Sequence, residues 1–271
     1  PAAILFDWDS WWASEQDSHP SDRLRYKQEA LDWYSAFLAL GIRADVVPSA
    51  TDLAGYGLVV APILHTVPAA LKARLEEYVG NGGHLVASYF SGITDENDHI
   101  WLGGYPGALA DLLGVRIDEF GPLLDGDEVS LDNGTTATLW ADRVLPRADG
   151  VEVLTRYTTG EHAGDAAVTR NTVGSGSAAY VGARLGTAGL EPVLADLAAR
   201  AGITSELPAE LRGAVEQVLR TDDDADYVFL INRTDEPVDI TGVDGDILTG
   251  EESKLAPRSV AVLTRKVSRT T

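Results

Sequence analysis

Through the first 120 residues, short apolar runs alternate with longer stretches of helical periodicity. Ala2-Ala3-Ile4-Leu5-Phe6 reads as a strand, as do residues 42–47, 58–64 and 84–90, each bounded by Gly, Pro or Asn. Unbroken runs of this kind suit strands covered on both faces. Between them, Leu24, Leu31, Tyr34 and Leu38 recur at helical spacing over residues 23–40 and Gly41 stands at the stop. Pro68 opens a further helix that runs to Val79. Strands and helices in this alternation predict right-handed βαβ units and a parallel, doubly wound sheet. A short helix over 108–113, ended by Gly114, leads into a strand over 115–120.

The rhythm changes from Asp127 to Tyr180. Runs at 129–131, 137–140, 151–157, 166–170 and 178–181 are separated by Asp-Asn-Gly, Asp-Gly and Gly-Ser-Gly turns, the spacing of hairpins. A helix over 190–199 follows, and Gly202 to Pro208 reads as a domain exit. Beyond it, runs at 215–219, 227–231, 238–240 and 260–264 predict a small all-β domain. The expected division is therefore a large α/β domain over 1–208, with β-hairpin additions, and a small β domain over 209–271. The smaller one has too little core to stand alone.

Composition narrows what such a chain does. A formal net charge of -21 over 271 residues opposes nucleic-acid binding, which needs an excess of Lys and Arg. It also makes copies of the chain repel one another, so any assembly rests on apolar or locally complementary patches. No run approaches the ~18 apolar residues of a membrane span, and no secretory leader is visible, which gives the expectation of a cytoplasmic protein without a membrane partner. The absence of cysteine removes disulfides, thiolate metal sites and cysteine nucleophiles. The five histidines lack metal-binding spacing, so neither a metal nor a cofactor is expected. With no initiator methionine before Pro1, the sequence reads as a piece of a longer chain.

Two stretches carry the candidate chemistry. Asp7-Trp8-Asp9-Ser10-Trp11-Trp12 sets three indoles on what reads as a loop at the carboxyl end of the first strand. Indoles are favoured on surfaces dried by a partner, and they serve equally as local packing under the next helix. After Tyr89 and Phe90, Gly92 breaks the fourth strand, and the loop gathers Asp95, Glu96, Asn97, Asp98 and His99 beside Trp101 and Tyr105. The carboxylates Asp95, Glu96 and Asp98 are candidates for acid and base work, and a solvated turn is the plainer reading. Gly174-Ser175-Gly176 leads into a strand and offers no helix N-terminus to a pyrophosphate. No GxSxG elbow is present.

The order of elements resembles the class I glutamine amidotransferase (flavodoxin-like) fold. In that fold the strand matching 84–90 would lead into a cysteine nucleophile and the strand matching 178–182 into a histidine. Phe90-Ser91-Gly92 and Ala183-Arg184 stand there instead, which implies a scaffold without amidase chemistry. A more specific likeness lies in LFDWDSWWA (5–13), SYFSGITDENDHIWLGGYPG (88–107), LLGVRIDEFGPL (112–123) and YVFLINRTDEPVDI (227–240). These segments resemble the C-terminal half of glycoside hydrolase family 42 β-galactosidases.

That resemblance implies a middle domain that builds a homotrimer and a small C-terminal β domain. It also implies an N-terminal (β/α)8 barrel that carries two catalytic glutamates and cleaves terminal β-D-galactosides with retention. A barrel needs about 250 residues of its own, so it is missing here and no catalytic residue carries over. The chain is expected to be inactive alone and to meet galactosides only through that barrel. Its partners are then copies of itself and the barrel, and the candidate contacts are Trp8, Trp11, Trp12, Tyr89, Asp95, Glu96, Asn97, Trp101 and Tyr105. The competing reading is a carbohydrate- or small-ligand-binding module derived from an amidotransferase-like fold.

Overall fold

The computed structural model describes residues 1–251 and 253–266. The chain divides into two compact units: Pro1–Tyr34 with Ala44–Ile203, and Ser35–Arg43 with the chain from Thr204 onward.

In the first unit the elements follow as β1 (Ala2–Phe6), α1 (Trp8–Ser14), α2 (Tyr26–Leu40, through which the division runs), β2 (Ala44–Pro48), β3 (Leu58–Ala61), α3 (Ala69–Gly80), β4 (His84–Ser88) and α4 (Ala110–Leu113). Then come β5 (Val115–Glu119), β6 (Glu128–Ser130), β7 (Thr136–Thr138), β8 (Arg143–Pro146), β9 (Glu152–Arg156), β10 (Ala166–Val173), β11 (Gly176–Val181) and α5 (Gly186–Arg200). A parallel sheet in the order β2-β1-β3-β4-β11 continues through antiparallel β10, β8 and β5, with β9 also paired to β10. The hairpin region thus extends the same sheet, and only β6 and β7 form a separate pair.

Burial explains the unbroken apolar runs. Leu5, Val59, Ala61, Leu85, Ala87 and Tyr180 share one core with Leu71, Leu75 and Val79 of α3. Ile4, Val60, Val86 and Val181, at the alternating positions, are just as buried, so both faces of the central strands are covered. The glycines of 174–176 serve close packing: a Cβ on Gly176 would lie 2.2 Å from the Gly83 carbonyl oxygen and 2.3 Å from that of Val79.

Several boundaries differ from the expected ones. Residues 8–14, read as part of a loop, form helix α1 because the Asp7 carboxylate accepts the Ser10 amide at 2.8 Å and caps it. Helix α2 begins at Tyr26 rather than Arg23, where the Glu15 carboxylate accepts the Tyr26 amide at 2.8 Å. The fourth strand stops at Ser88, since Phe90 takes a left-handed φ of 56°. Strand β8 adds to the expected strands; its four residues are mixed in polarity and carry no period-2 signal.

The second unit holds β12 (Val215–Thr221), β13 (Ala225–Asn232), β14 (Val238–Asp239), β15 (Asp246–Thr249), β16 (Lys254–Leu255) and β17 (Val260–Lys266). They form a sheet in the order β12-β13-β17-β15 and a β14-β16 pair, over a core that includes Leu211, Val215, Val228, Leu230, Ile240 and Leu263. Asn232 ties its parts together, donating from Nδ2 to the carbonyls of Glu236, Leu255 and Ala256. Among the described residues no helix is long and apolar enough to cross a membrane.

Candidate assembly surface and the family it belongs to

The carboxyl ends of β1, β3 and β4 carry one continuous cap. Ser10 of α1 exchanges hydrogen bonds with the backbone of Thr66, and Thr66 bridges Thr94 in the loop after β4. Thr94 in turn pairs with Ile100, and Trp101 donates from Nε1 to the Val67 carbonyl at 3.1 Å. Three segments distant in sequence are thereby held in one piece.

On this cap α1 shows two indoles to solvent. Trp8 and Trp12, one helical turn apart, are 56% and 65% exposed. Trp11 is drawn under them, stacked between Trp8 at 5.2 Å and Tyr26 at 6.3 Å, with Phe6 edge-on to it. In the loop after β4, Ile100 is 56% exposed and Leu102 94%. Neither aliphatic residue was among the candidates, although the pair flanks Trp101 in a glycine-rich loop and the pattern was open to reading.

The other candidates have different surroundings. Asp95 organises its turn by accepting the amides of Asn97 and His99, which hold its carboxyl below the usual carboxylate range. Glu96 and Asn97 are exposed at the tip. Trp101 and Tyr105 are half-buried, Tyr105 packing on Phe120 at 4.6 Å. Tyr89 is buried, stacked on Trp140 at 5.5 Å, with its hydroxyl donated to Glu29 at 3.2 Å. It supports the cap from inside and has no surface to offer a neighbour.

The corner after β4 and β11 is filled by packed and hydrogen-bonded side chains. The Phe90 ring meets His65, His19, Trp140 and Phe120 at centroid distances of 4.9–5.4 Å. The hydroxyls of Ser88 and Ser91 accept the Ile63 and Leu64 amides at 2.8 and 2.9 Å, and both serines are fully buried. Arg184 pairs with Asp32 at 3.0 Å and with buried Glu29 at 3.8 Å. Burial, with Asp32 adding, lifts the Glu29 carboxyl to about 7 against the pull of Arg184. Asp142, accepting from Trp140 Nε1 and the Tyr180 hydroxyl at 2.6 Å each, is likewise pushed up to about 7 by burial. Burial, with the neighbouring His19, pushes His65 down to about 3. Among the described residues no group of three or more His, Asp or Glu side chains is placed to hold a metal.

Residues 1–204 match the family described as the β-galactosidase trimerisation domain, and residues 214–265 the β-galactosidase C-terminal domain. The chain is 38% identical to β-galactosidase BbgII of Bifidobacterium bifidum, over 97% of this chain and 40% of the relative. It is 36% identical to BgaB of a Geobacillus species, over 96% and 40%. The crystal structure of a β-galactosidase from Bacillus circulans sp. alkalophilus superposes with a TM-score of 0.87 at 30% identity, over 97% of this chain and 41% of that one. That of Rahnella sp. R3 gives 0.88 at 30%, over 98% and 41%. The chain therefore spans about 40% of the length of the curated relatives it matches. It belongs to the glycoside hydrolase family 42 β-galactosidases, of which it comprises the trimerisation and C-terminal domains.

Proposed function

We propose that this chain holds three copies of a longer β-galactosidase together and leaves bond cleavage to an N-terminal (β/α)8 barrel outside it. Residues 1 to about 208 form the assembly domain and 209–271 its β appendage. The parent polypeptide hydrolyses terminal β-D-galactosides with retention through two glutamates of the barrel. The fold is amidotransferase-like: the parallel order β2-β1-β3-β4-β11 is that of flavodoxin-like sheets. The left-handed Phe90 supports this, standing where that fold turns sharply into its nucleophile.

One observation carries the assembly reading: the exposure of Trp8, Trp12, Ile100 and Leu102 on a cap whose segments are bonded to one another. Large apolar side chains grouped on a surface mark a contact. Burying each from its present exposure contributes about 1–2 kcal/mol, a gain that acts against the mutual repulsion of copies carrying -21 each. Trp8→Ala with Trp12→Ala should then cost about 2–4 kcal/mol per interface, a 30- to 1,000-fold loss of affinity. Sedimentation velocity should show the trimer giving way to monomer. A trimer unchanged by the double substitution would remove α1 from the interface. The same purified chain should release no nitrophenol from a nitrophenyl galactoside above a buffer blank.

A further inference from the structure

We infer that the outer face of the β12-β13-β17-β15 sheet is a docking surface for the part of the longer galactosidase polypeptide that lies outside this chain. The inference rests on the reading that such a polypeptide exists. A sheet with one wetted face alternates apolar and polar positions, but Tyr227 to Ile231 in β13 is an unbroken apolar run, as in strands covered on both sides. Val228 and Leu230 point into the unit's own core and are fully buried. Phe229 and Ile231 point the other way. Phe229 lies between Val218 and Val262 across the strands, and Ile231 is opposite Val260. Val260 is 47% exposed, and Leu248 of β15 is 62% exposed. The outward apolar row therefore runs across β12, β13 and β17, with Val218, Phe229 and Ile231 half-buried, Val262 buried and Val260 exposed, and Leu248 stands exposed at the register shift of β15.

Relative length decides the occupant. The chain accounts for only 40% of BbgII, so the larger part of such a polypeptide lies outside it. A covalently tethered body meets this face at high effective concentration, whereas a second copy brings another -21 of charge. The occupant is thus a folded apolar surface in the same polypeptide, bounded on one side by the Glu216–Arg233 ion pair.

The 271 residues contain no cysteine, so an introduced thiol is unique in the shorter chain and is identified by its own peptide in the longer one. Leu248→Cys and Val260→Cys, each a single thiol at an exposed site, are introduced into the 271-residue chain and into the longer polypeptide. Maleimide labelling is read peptide by peptide, relative to the same protein unfolded in guanidinium. Both thiols should react freely in the shorter chain and at least about tenfold more slowly in the longer one. Equal reactivity in the two forms would overturn the proposal by showing an open face. Protection that grows with the concentration of the shorter chain would overturn it in favour of a second copy. Because α1 is untouched, the Trp8 and Trp12 result and this one fail independently, and a source reading frame with no further coding sequence would dispose of the parent polypeptide itself.

Discussion

Phe90 joins a backbone cost to a packing gain. Its φ of 56° is one that a bulky side chain adopts only where the surroundings enforce it, and its ring contacts two histidines, Trp140 and Phe120. Phe90→Ala should lower stability by about 3–5 kcal/mol. Phe90→Gly should be the more stable of the two truncations by about 1 kcal/mol, the reverse of their usual order, because glycine enters this φ region without strain. Urea denaturation of the pair checks this. Glu29 and Asp142, raised from ordinary values of 4.5 and 3.8 to about 7, make a second residue-level prediction. Between about pH 4 and 7 the folded chain keeps protons that the unfolded chain has released, so this contribution is complete below pH 4 and is lost as pH rises to 7. Each group contributes a slope of about 1.4 kcal/mol per pH unit. The depressed carboxyls of Asp95, Asp222, Asp235 and Asp239 act in the opposite direction and lower, losing their contribution as pH falls below their ordinary value of 3.8. His65, held down to about 3, works against Glu29 and Asp142, because below its ordinary value of 6.5 the unfolded imidazole takes up a proton that the folded one refuses. The net decline between about pH 4.5 and 6.5 is therefore about one carboxyl's slope, and Asp142→Asn should remove most of it in denaturation curves.

Helix α1 shows how far the elements were legible and where legibility stopped. The strands β1, β3 and β4 declared themselves through continuous apolar runs, because burial on both faces leaves no polar position to confuse the period. In α1 the seven residues are too few for a 3.6-residue period to stand out, and its helicity depends on a capping bond and on tertiary contact. Strands β8, β15 and β16 escaped for a related reason, being two to four residues long and paired through distant partners. The aromatic half of the cap was legible in its indoles, but their division into exposed Trp8 and Trp12 and sheltered Trp11 was set by the helix that sequence reading missed. Asp7 is the residue on which this turns, since it caps α1 and also accepts the Ser49 hydroxyl at 2.6 Å. Asp7→Ala should cost about 1–2 kcal/mol and loosen the first turn. Hydrogen exchange at the amides of Trp8 to Trp11 should then accelerate while β3 and β4 stay protected.

At the scale of the whole molecule the deciding quantity is charge. Each copy carries -21, and the cap itself is edged by Asp9, Glu96 and Asp98, so bringing copies together sets like charges against an apolar gain. The two forces respond differently to salt. Coulomb repulsion between exposed groups is screened over about 10 Å at 0.1 M ionic strength and about 3 Å at 1 M, whereas burial of indole and aliphatic surface is not screened. An interface held by ion pairs would weaken as sodium chloride is added. One held by Trp8, Trp12, Ile100 and Leu102 against net repulsion should tighten, with the trimer dissociating most readily in dilute buffer. Sedimentation equilibrium from about 0.02 to 0.5 M sodium chloride separates the two cases. A dissociation constant that falls with salt, and does so less steeply as the acidic rim is neutralised by Asp9→Asn and Glu96→Gln, assigns the opposing force to the charges around the cap. A constant that rises with salt would instead place paired charges at the centre of the contact and move the search to the arginine-bearing surfaces of the first unit.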